Sequence, residues 1–533
     1  MKSRPFSMFL LIMMIISLTA CMKGSENPTD GYSANTEAAT TSEVDFTNLS
    51  VEEITPVSFS SGRASIQIAD RTTSYLLILN AANTLPGNYG LQLADESAPL
   101  LQLPHLEVEK GLEDPDSALF HQFLNESGAE MAQSPEFQQL GSRSSFSALT
   151  KTMAVGDKQT FKVLSSMTSL SRYEQVEATL RVVTDDLLFF VEDDSADHIS
   201  DEEIQDLANK FQNTILPTDR SLFGNESDIN GDSHISIVMT CVTNRMASSG
   251  IVTGFFFPGD LYASSSVNPA SNEQEIFYTL LPDPNGRCGI PISSDFALTN
   301  ILPGVLAHEY QHMISFNRHV FLGNGKTEEP WLNEALSHLA EDLNGFGLEN
   351  YSRVKLFLSR PNATPLISAA SPTLAERGAG YAFLRYLYEQ SGNGQQFLQN
   401  LLEGKATGVS NIVSSFASGD SSFDEFPEFL NNWSIALALT DTNMTTDPRF
   451  NYEPRGTDAT SGNPTGLCLR CTANDGRGTI LNGPSIVEVE SYPLTSNLNA
   501  TAAQFFLIQD APTDLWIQST GSPTLTGSIL RLE

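Results

Sequence analysis

Two histidines one helical turn apart, with a glutamate beside the first, are the residues of this chain best suited to chemistry. They are His308, Glu309 and His312, within Leu306-Ala307-His308-Glu309-Tyr310-Gln311-His312-Met313. On a helix, residues at i and i+4 share a face, so both imidazoles can reach one metal ion. Glu309 lies next to them, within reach of a water on that ion. Two neutral imidazoles and a carboxylate that accepts a proton are the parts of a zinc hydrolase, in which the metal lowers the pKa of its water to about 7.

Zinc also needs a third protein ligand, with a fourth place left open. The metzincin solution, a second-turn His in H-E-x-x-H-x-x-G-x-x-H, is absent. Ser315 holds the Gly place, Arg318 the His place, and His319 is off by one. The other solution is a glutamate on a second helix. Trp331-Leu332-Asn333-Glu334 offers one, with 21 residues between His312 and Glu334. That gap holds a loop containing Gly323-Asn324-Gly325 and a returning helix packed on the first.

H-E-x-x-H followed by W-L-N-E resembles the gluzincin metallopeptidases. Together with Gly380-Tyr381-x-Phe383-x-Arg385-Tyr386-Leu387 it is similar to the hyicolysin family of secreted bacterial neutral metallopeptidases, over residues 170–400. The resemblance implies His308, His312 and Glu334 as zinc ligands and Glu309 as general base and proton shuttle. A developing oxyanion needs a further donor, and Tyr381 is the candidate from its place in the third helical segment. The family pattern departs at one point. Several gluzincins carry, four residues after the ligand Glu, an Asp that hydrogen-bonds a zinc His; here that residue is His338. His338 is then a partner to a ligand, a substrate contact or an alternative ligand, and Glu341 or Asp342 is left to supply the carboxylate. The G-x-M-E-N strand with which aminopeptidase gluzincins bind a free amine is absent, which favours endopeptidase action.

The elements around the motif fit a zincin-like α+β fold, a mixed sheet with an active-site helix followed by a helical subdomain. Gln159–Val163, Glu177–Val183 and Leu187–Val191 read as strands, the last two as a hairpin turning at Thr184-Asp185-Asp186. Ser200-Asp201-Glu202-Glu203 is a capping box that opens a helix running to about Ile215. His234–Met239 is a further strand. Asn300 or Thr299 can cap the H-E-x-x-H helix, and Pro303 suits its first turn. From 345 on, Tyr381–Tyr388, Gln395–Leu402 and Glu425–Leu439 carry apolar residues at helical spacing. Residues 166–444 therefore form the metallopeptidase domain. Short alternating runs such as Ser74-Tyr75-Leu76-Leu77-Ile78-Leu79 make 45–165 a β-rich N-terminal domain, and 445–533 reads as a separate C-terminal β-rich module. His105 and His121 stand alone in sequence and read as structural. Asp228, Asn230 and Asp232 have the look of a calcium loop. The twelfth place of an EF-hand is Met239 rather than Glu, so a tight polar turn is the competing reading.

The start of the chain reads as a targeting signal. Lys2 and Arg4 precede an apolar run from Met8 to Leu18, and Leu18-Thr19-Ala20-Cys21 resembles the bacterial lipobox over residues 1–21. The resemblance implies diacylation of Cys21 and a lipid anchor without a spanning helix. Residues 22–44 read as a flexible tether. The expected location is the bacterial cell envelope, exported and lipid-anchored. An oxidising compartment suits the other four cysteines, Cys241, Cys288, Cys468 and Cys471, for which 241–288 with 468–471 is the simplest of three pairings. The chain has 533 residues and a formal charge of −35, which argues against nucleic acid as a partner and keeps the surface solvated. The expected substrates are proteins or peptides. The alternative is an adhesin-like surface lipoprotein with the zincin as scaffold, and a cell-wall amidase would share the chemistry.

Overall fold

Residues 49–96, 115–140, 153–416 and 423–533 are described by the structure, a computed structural model, apart from 248, 249, 324, 369–371, 454, 460, 474, 476 and 522. Cys21, the apolar run, the tether and His105 lie outside the described residues.

Strands β1 (Val51–Pro56), β2 (Arg63–Gln67), β3 (Ser74–Ala81) and β4 (Asn88–Ala94) open the fold. Helices α1 (Pro115–Gln133) and α2 (Pro135–Leu140) follow. Next come β5 (Lys158–Leu164), β6 (Tyr173–Val183), β7 (Leu187–Glu192), α3 (Asp201–Lys210), α4 (Leu216–Phe223), β8 (Ile235–Met239), α5 (Cys241–Arg245), β9 (Gly254–Phe256) and β10 (Ile276–Thr279). A helical half contains α6 (Ser294–Phe296), α7 (Leu302–Phe316), α8 (Pro330–Leu343), α9 (Asn350–Ser359), α10 (Leu374–Gln390), α11 (Gly394–Glu403), α12 (Gly408–Ser415) and α13 (Phe426–Leu439). Two short hairpins pair β11 (Gly456–Thr457) with β12 (Pro464–Thr465) and β13 (Arg470–Thr472) with β14 (Ile480–Asn482). The chain ends with β15 (Val487–Glu488), β16 (Leu494–Asn499), β17 (Ala503–Ile508), β18 (Asp514–Ser519) and β19 (Leu525–Leu532). This is a mixed α+β architecture. No described helix is long and apolar enough to cross a membrane.

The two β-rich ends are one structure. One sheet runs β1-β19-β3-β17-β15 and a second runs β16-β4-β18-β2, so each interleaves strands from both ends of the chain. This corrects the division into separate N- and C-terminal modules. Alternation marks a strand but does not name its neighbour, and pairing between distant segments is decided by tertiary packing. Strand β3 shows the cause. Tyr75, Leu77 and Leu79 face a core shared with Leu91, Leu515 and Ile517 of the second sheet. Leu76 and Ile78, on the opposite face, join the core of the helical half. With both faces covered, β3 is buried from Tyr75 to Ala81, as expected for a strand between two layers. The Ser434 hydroxyl of α13 donates to Asn80 Oδ1 at 2.6 Å and ties that second face down.

The third sheet runs β5-β6-β7-β8-β10-β9 and carries the site. β6 and β7 form the expected hairpin, β7, β8 and β10 are parallel, and β9 is an antiparallel edge. β5, which the 165 boundary assigned to the N-terminal domain, is the other edge. The Ser200 capping box is present, but the helix passes at Phe211 into a π turn before α4. The H-E-x-x-H helix does not start at a capping Asn300. α6 begins after Ser293, whose side chain accepts from Phe296 N, and runs through a π turn at Ala297–Ile301 into α7. Asn300 Nδ2 instead donates to Asp475 O at 2.8 Å. Disulfides join Cys241 to Cys288 and Cys468 to Cys471.

Gly527 of β19 tests the interleaving. A Cβ there would lie 2.3 Å from Ile78 O of β3. Gly527→Val is expected to lower stability by about 1–3 kcal/mol or more through forced backbone movement, read as a drop in the urea midpoint. An unchanged midpoint would show that the two ends do not share a sheet.

Candidate metal centre

Every residue of α7 is buried except His312, which is half-buried. Pro303 sits in the first turn, where its missing N–H costs nothing. The helix lies beside edge strand β9, and the fit is close. A Cβ on Gly254 would stand 2.5 Å from Val305 Cγ1 and 2.9 Å from Tyr278 O. That approach brings Phe256 N within 2.9 Å of Glu309 Oε2 and fixes one carboxylate oxygen. α8 returns antiparallel along α7, opened by Pro330 in its first turn. Trp331 Nε1 donates to Glu329 Oε2 at 2.9 Å, across that helix start.

The returning helix places Glu334 opposite both histidines. His308 Nε2 and His312 Nε2 are 3.1 Å apart. Each lies 3.6 Å from a different Glu334 oxygen. The three ligand atoms fall within 4.8 Å of one another. Neither Glu334 oxygen has a hydrogen-bond donor among the described residues, although both are buried. Two ring nitrogens turned toward each other and an orphaned carboxylate are a donor set that a divalent ion completes.

The other ring nitrogens support this arrangement. Ser337 Oγ donates to Gln311 Oε1 at 2.6 Å, so its oxygen accepts from His312 Nδ1 at 3.0 Å. Glu341 Oε1 accepts from His308 Nδ1 at 2.8 Å. Both histidines are thereby held with Nε2 facing Glu334, the role of partners behind a metal ligand. Glu341 is one of the two carboxylates considered for this task. Asp342, the other, instead accepts from Arg385 Nη1 at 2.9 Å and from Gly466 N. His338 shares Glu341 Oε1, donating from Nδ1 at 2.8 Å. It therefore stands as a partner in the hydrogen-bond network, and its Nε2 is buried without a partner.

The electrostatics follow from burial and neighbours. Burial opposes charge on His308, but Glu334 and Glu341 overcome it and push its pKa up to about 10. Burial, then the charge of His308, brings His312 down to about 3. Burial raises Glu309 to about 7. Burial would also raise Glu334, yet the Arg377 guanidinium and the histidines hold it well below the ordinary carboxylate range. Arg377 Nη1 lies 3.1 Å from Glu334 Oε2. The carboxylates that raise His308 would attract a metal ion in the same place, so proton and metal compete there.

Tyr381 and the calcium loop lie away from the cluster, and one residue read as structural lies beside it. Tyr381 is buried, burial followed by Asp342 raises its pKa, and it lines neither cleft beside Glu309. Arg377, one turn earlier on α10, occupies that ground, and the four-residue spacing was the sequence signal for it. The calcium reading finds no support. Asn230 Nδ2 donates to Asp232 Oδ2, Asp232 Oδ1 accepts from His234 N, and Asp228 Oδ1 accepts from Ser233 N, so the loop closes on itself. His121, taken as structural, is at the site, with Nδ1 3.8 Å from Glu334 Oε1. Nothing in its sequence surroundings marked it.

No family model matches the chain. Among curated proteins it is similar to the Neutral metalloprotease ShpI of Staphylococcus hyicus, with 26% identity over 255 residues, 45% of this chain and 54% of that protein. The chain thus spans about half the length of the curated relative it matches. The likeness supports metalloprotease chemistry.

Glu341→Gln removes the negative acceptor behind His308 and leaves the shape. Metal affinity is expected to fall about 10- to 100-fold, measured by competition with a zinc chelator. Unchanged affinity would remove Glu341 from the centre.

Proposed function

We propose that this chain is an exported zinc endopeptidase, attached to a membrane by lipid on Cys21 and acting on proteins or peptides. One observation carries the reading. His308, His312 and Glu334 converge with both Nε2 atoms facing a carboxylate that has no hydrogen-bond donor among the described residues. The likeness to a neutral metalloprotease supports the same chemistry.

Zinc held by these three residues would polarise a carbonyl and acidify a water. The chain's own groups supply the remaining steps. Glu309 lines both recesses beside the cluster. With Oε2 held by Phe256 N, its other oxygen is free to take the proton of the attacking water and return it to the leaving amine. Glu341 and Ser337 keep His308 and His312 in one tautomer through that exchange. Arg377 keeps Glu334 ionised. A cleft of about 470 Å³ runs past His308, Glu309 and Arg377, room for an extended peptide. The anchor reading rests on the Leu18-Thr19-Ala20-Cys21 sequence.

Glu309→Gln tests the core of this reading. The variant should retain about one zinc per chain while peptide-bond cleavage of a denatured protein falls about 10²- to 10⁴-fold. Equal activity in variant and wild type would end the enzyme reading. For the anchor, Cys21→Ser should move the protein from the membrane pellet to the soluble fraction. A protein that stays in the pellet would refute lipid attachment there.

A further inference from the structure

Helix α1 lies far from the metal motif in sequence, yet it forms part of the wall around it. His121, Leu124, Asn125 and Gly128 line a recess with Glu309, His312 and Phe316. The larger cleft on the other side is lined by His308, Glu309, Arg377 and again His121. His121 and Glu309 are the two side chains that line both. The helix is seated firmly. Phe120 packs edge-on against Phe255 at 5.1 Å, Asn333 Nδ2 donates to Asn125 Oδ1 at 3.3 Å, and a Cβ on Gly128 would stand 3.3 Å from Pro258 Cγ.

His121 itself is 8% exposed and makes no hydrogen bond among the described residues. Its side chain forms part of the wall of both recesses, so a ligand entering either one meets the ring. Its Nδ1 is 3.8 Å from Glu334 Oε1, beyond hydrogen-bond distance. Its ring centre is 6.5 Å from that of His308. Its nitrogens also stand outside the set of ligand atoms that lie within 4.8 Å of one another. The ring therefore lies one atom layer beyond the ligands, on the cleft side that Glu309 also faces.

Resting on the peptidase reading above, we propose that His121 is a catalytic residue of this chain, an N–H donor to the oxygen of the scissile carbonyl. As water adds to the carbonyl carbon, Glu309 takes the water's proton and the π pair moves onto the carbonyl oxygen. The His121 N–H donates a hydrogen bond to that oxygen. The C–N bond then breaks, the pair returns to re-form the carbonyl, and Glu309 delivers its proton to the amine. Water and a peptide give a carboxylate and an amine. A preorganised donor in a water-poor cleft is worth most where the negative charge develops. The N-terminal segment is then part of the catalytic unit and not a cover over it. Strand β3, upstream of α1, pairs with β17 and β19 in the middle of a sheet.

The test uses the full-length zinc-loaded chain and the variants His121→Leu and His121→Gln. Each is assayed for bound zinc, for kcat and KM on a peptide, and for affinity toward a peptide phosphonamidate that mimics the tetrahedral oxyanion. His121→Leu should keep its zinc, lose about 10²- to 10³-fold in kcat with KM nearly unchanged, and bind the phosphonamidate more weakly by a similar factor. His121→Gln, which retains an N–H donor, should recover part of the loss. Unchanged kcat overturns the proposal, as does a loss of kcat explained by lost zinc. A rise in kcat also overturns it and marks α1 as an inhibitory cover. Loss of kcat confined to Arg377→Lys with zinc retained assigns the donor role to Arg377, whose Nη2 is buried without a partner in the same cleft. A wild type that binds zinc but neither cleaves peptides nor prefers the phosphonamidate to a substrate peptide refutes the peptidase reading itself.

Discussion

Glu334 carries a negative charge where water cannot reach it, and the rest of the site is arranged around that fact. The side chain is 1% exposed and neither oxygen receives a hydrogen bond among the described residues. An unpaired buried carboxylate would ordinarily take up a proton. Here Arg377 lies on one oxygen and the two metal-motif histidines face both. Arg377 supplies one unit of positive charge against Glu334, but Glu341 and Glu309 are also buried nearby. Arg353 supplies a second unit, with Nη1 3.9 Å from Glu341 Oε2, and burial raises Glu309 to about 7. A divalent cation between the three ligand atoms would add positive charge where Glu334 faces both histidines.

The same constraint explains why the scaffold is so tight around α7. Ligand atoms can be held this way only if their rings cannot turn. The helix is buried on all sides except at His312. Gly254 lets β9 approach close enough for a backbone N–H to hold Glu309. α8 then contributes a ligand and both partners of the histidines within about two turns, Glu334, Ser337 and Glu341. One face of one helix therefore sets a ligand, two tautomers and a share of the charge. The α8–α10 contact is fastened by a separate buried pair, Asp342 with Arg385, and Arg385 also reaches Glu389 at 2.6 Å. That pair keeps Arg377, on the same α10, in register with Glu334.

What could be read from the sequence was what is local. His308, Glu309 and His312 fall within one turn and a quarter, and their helix follows from their own neighbours. Glu334 was legible because a single loop and a returning helix leave few other geometries. Glu341 was legible as one of two carboxylates one turn from His338, and only the side-chain directions separated it from Asp342. Tyr381 lies on the helix that carries Arg377, one turn further on, and lines neither recess beside Glu309. An apolar stripe does not say which of its polar members points into a cleft. The hairpin of β6 and β7 was readable because its turn is short. The pairing of β3 with β17 and β19 was not, since those partners lie at the opposite end of the chain. His121 was out of reach for the same reason. Its neighbours in sequence describe a polar helix, and its neighbours in space belong to β9, α7 and α8.

Interleaved ends change what a boundary drawn through this chain means. Between its two faces β3 joins two cores, one shared with the second sheet and one with the helical half. Removing residues 45–165 would withdraw the central strand of one sheet, leave β17 and β19 with unpaired edges, and expose the α13 surface that β3 covers. Exposed edges and apolar faces of that size favour association over folding. A segment that could be shed from a finished enzyme should pack at a periphery, with its backbone bonds closed within itself. Helix α1 belongs to that same stretch. Its own contacts, Phe120 against Phe255 and Asn125 with Asn333, seat it beside Glu309 and make His121 part of the cleft wall.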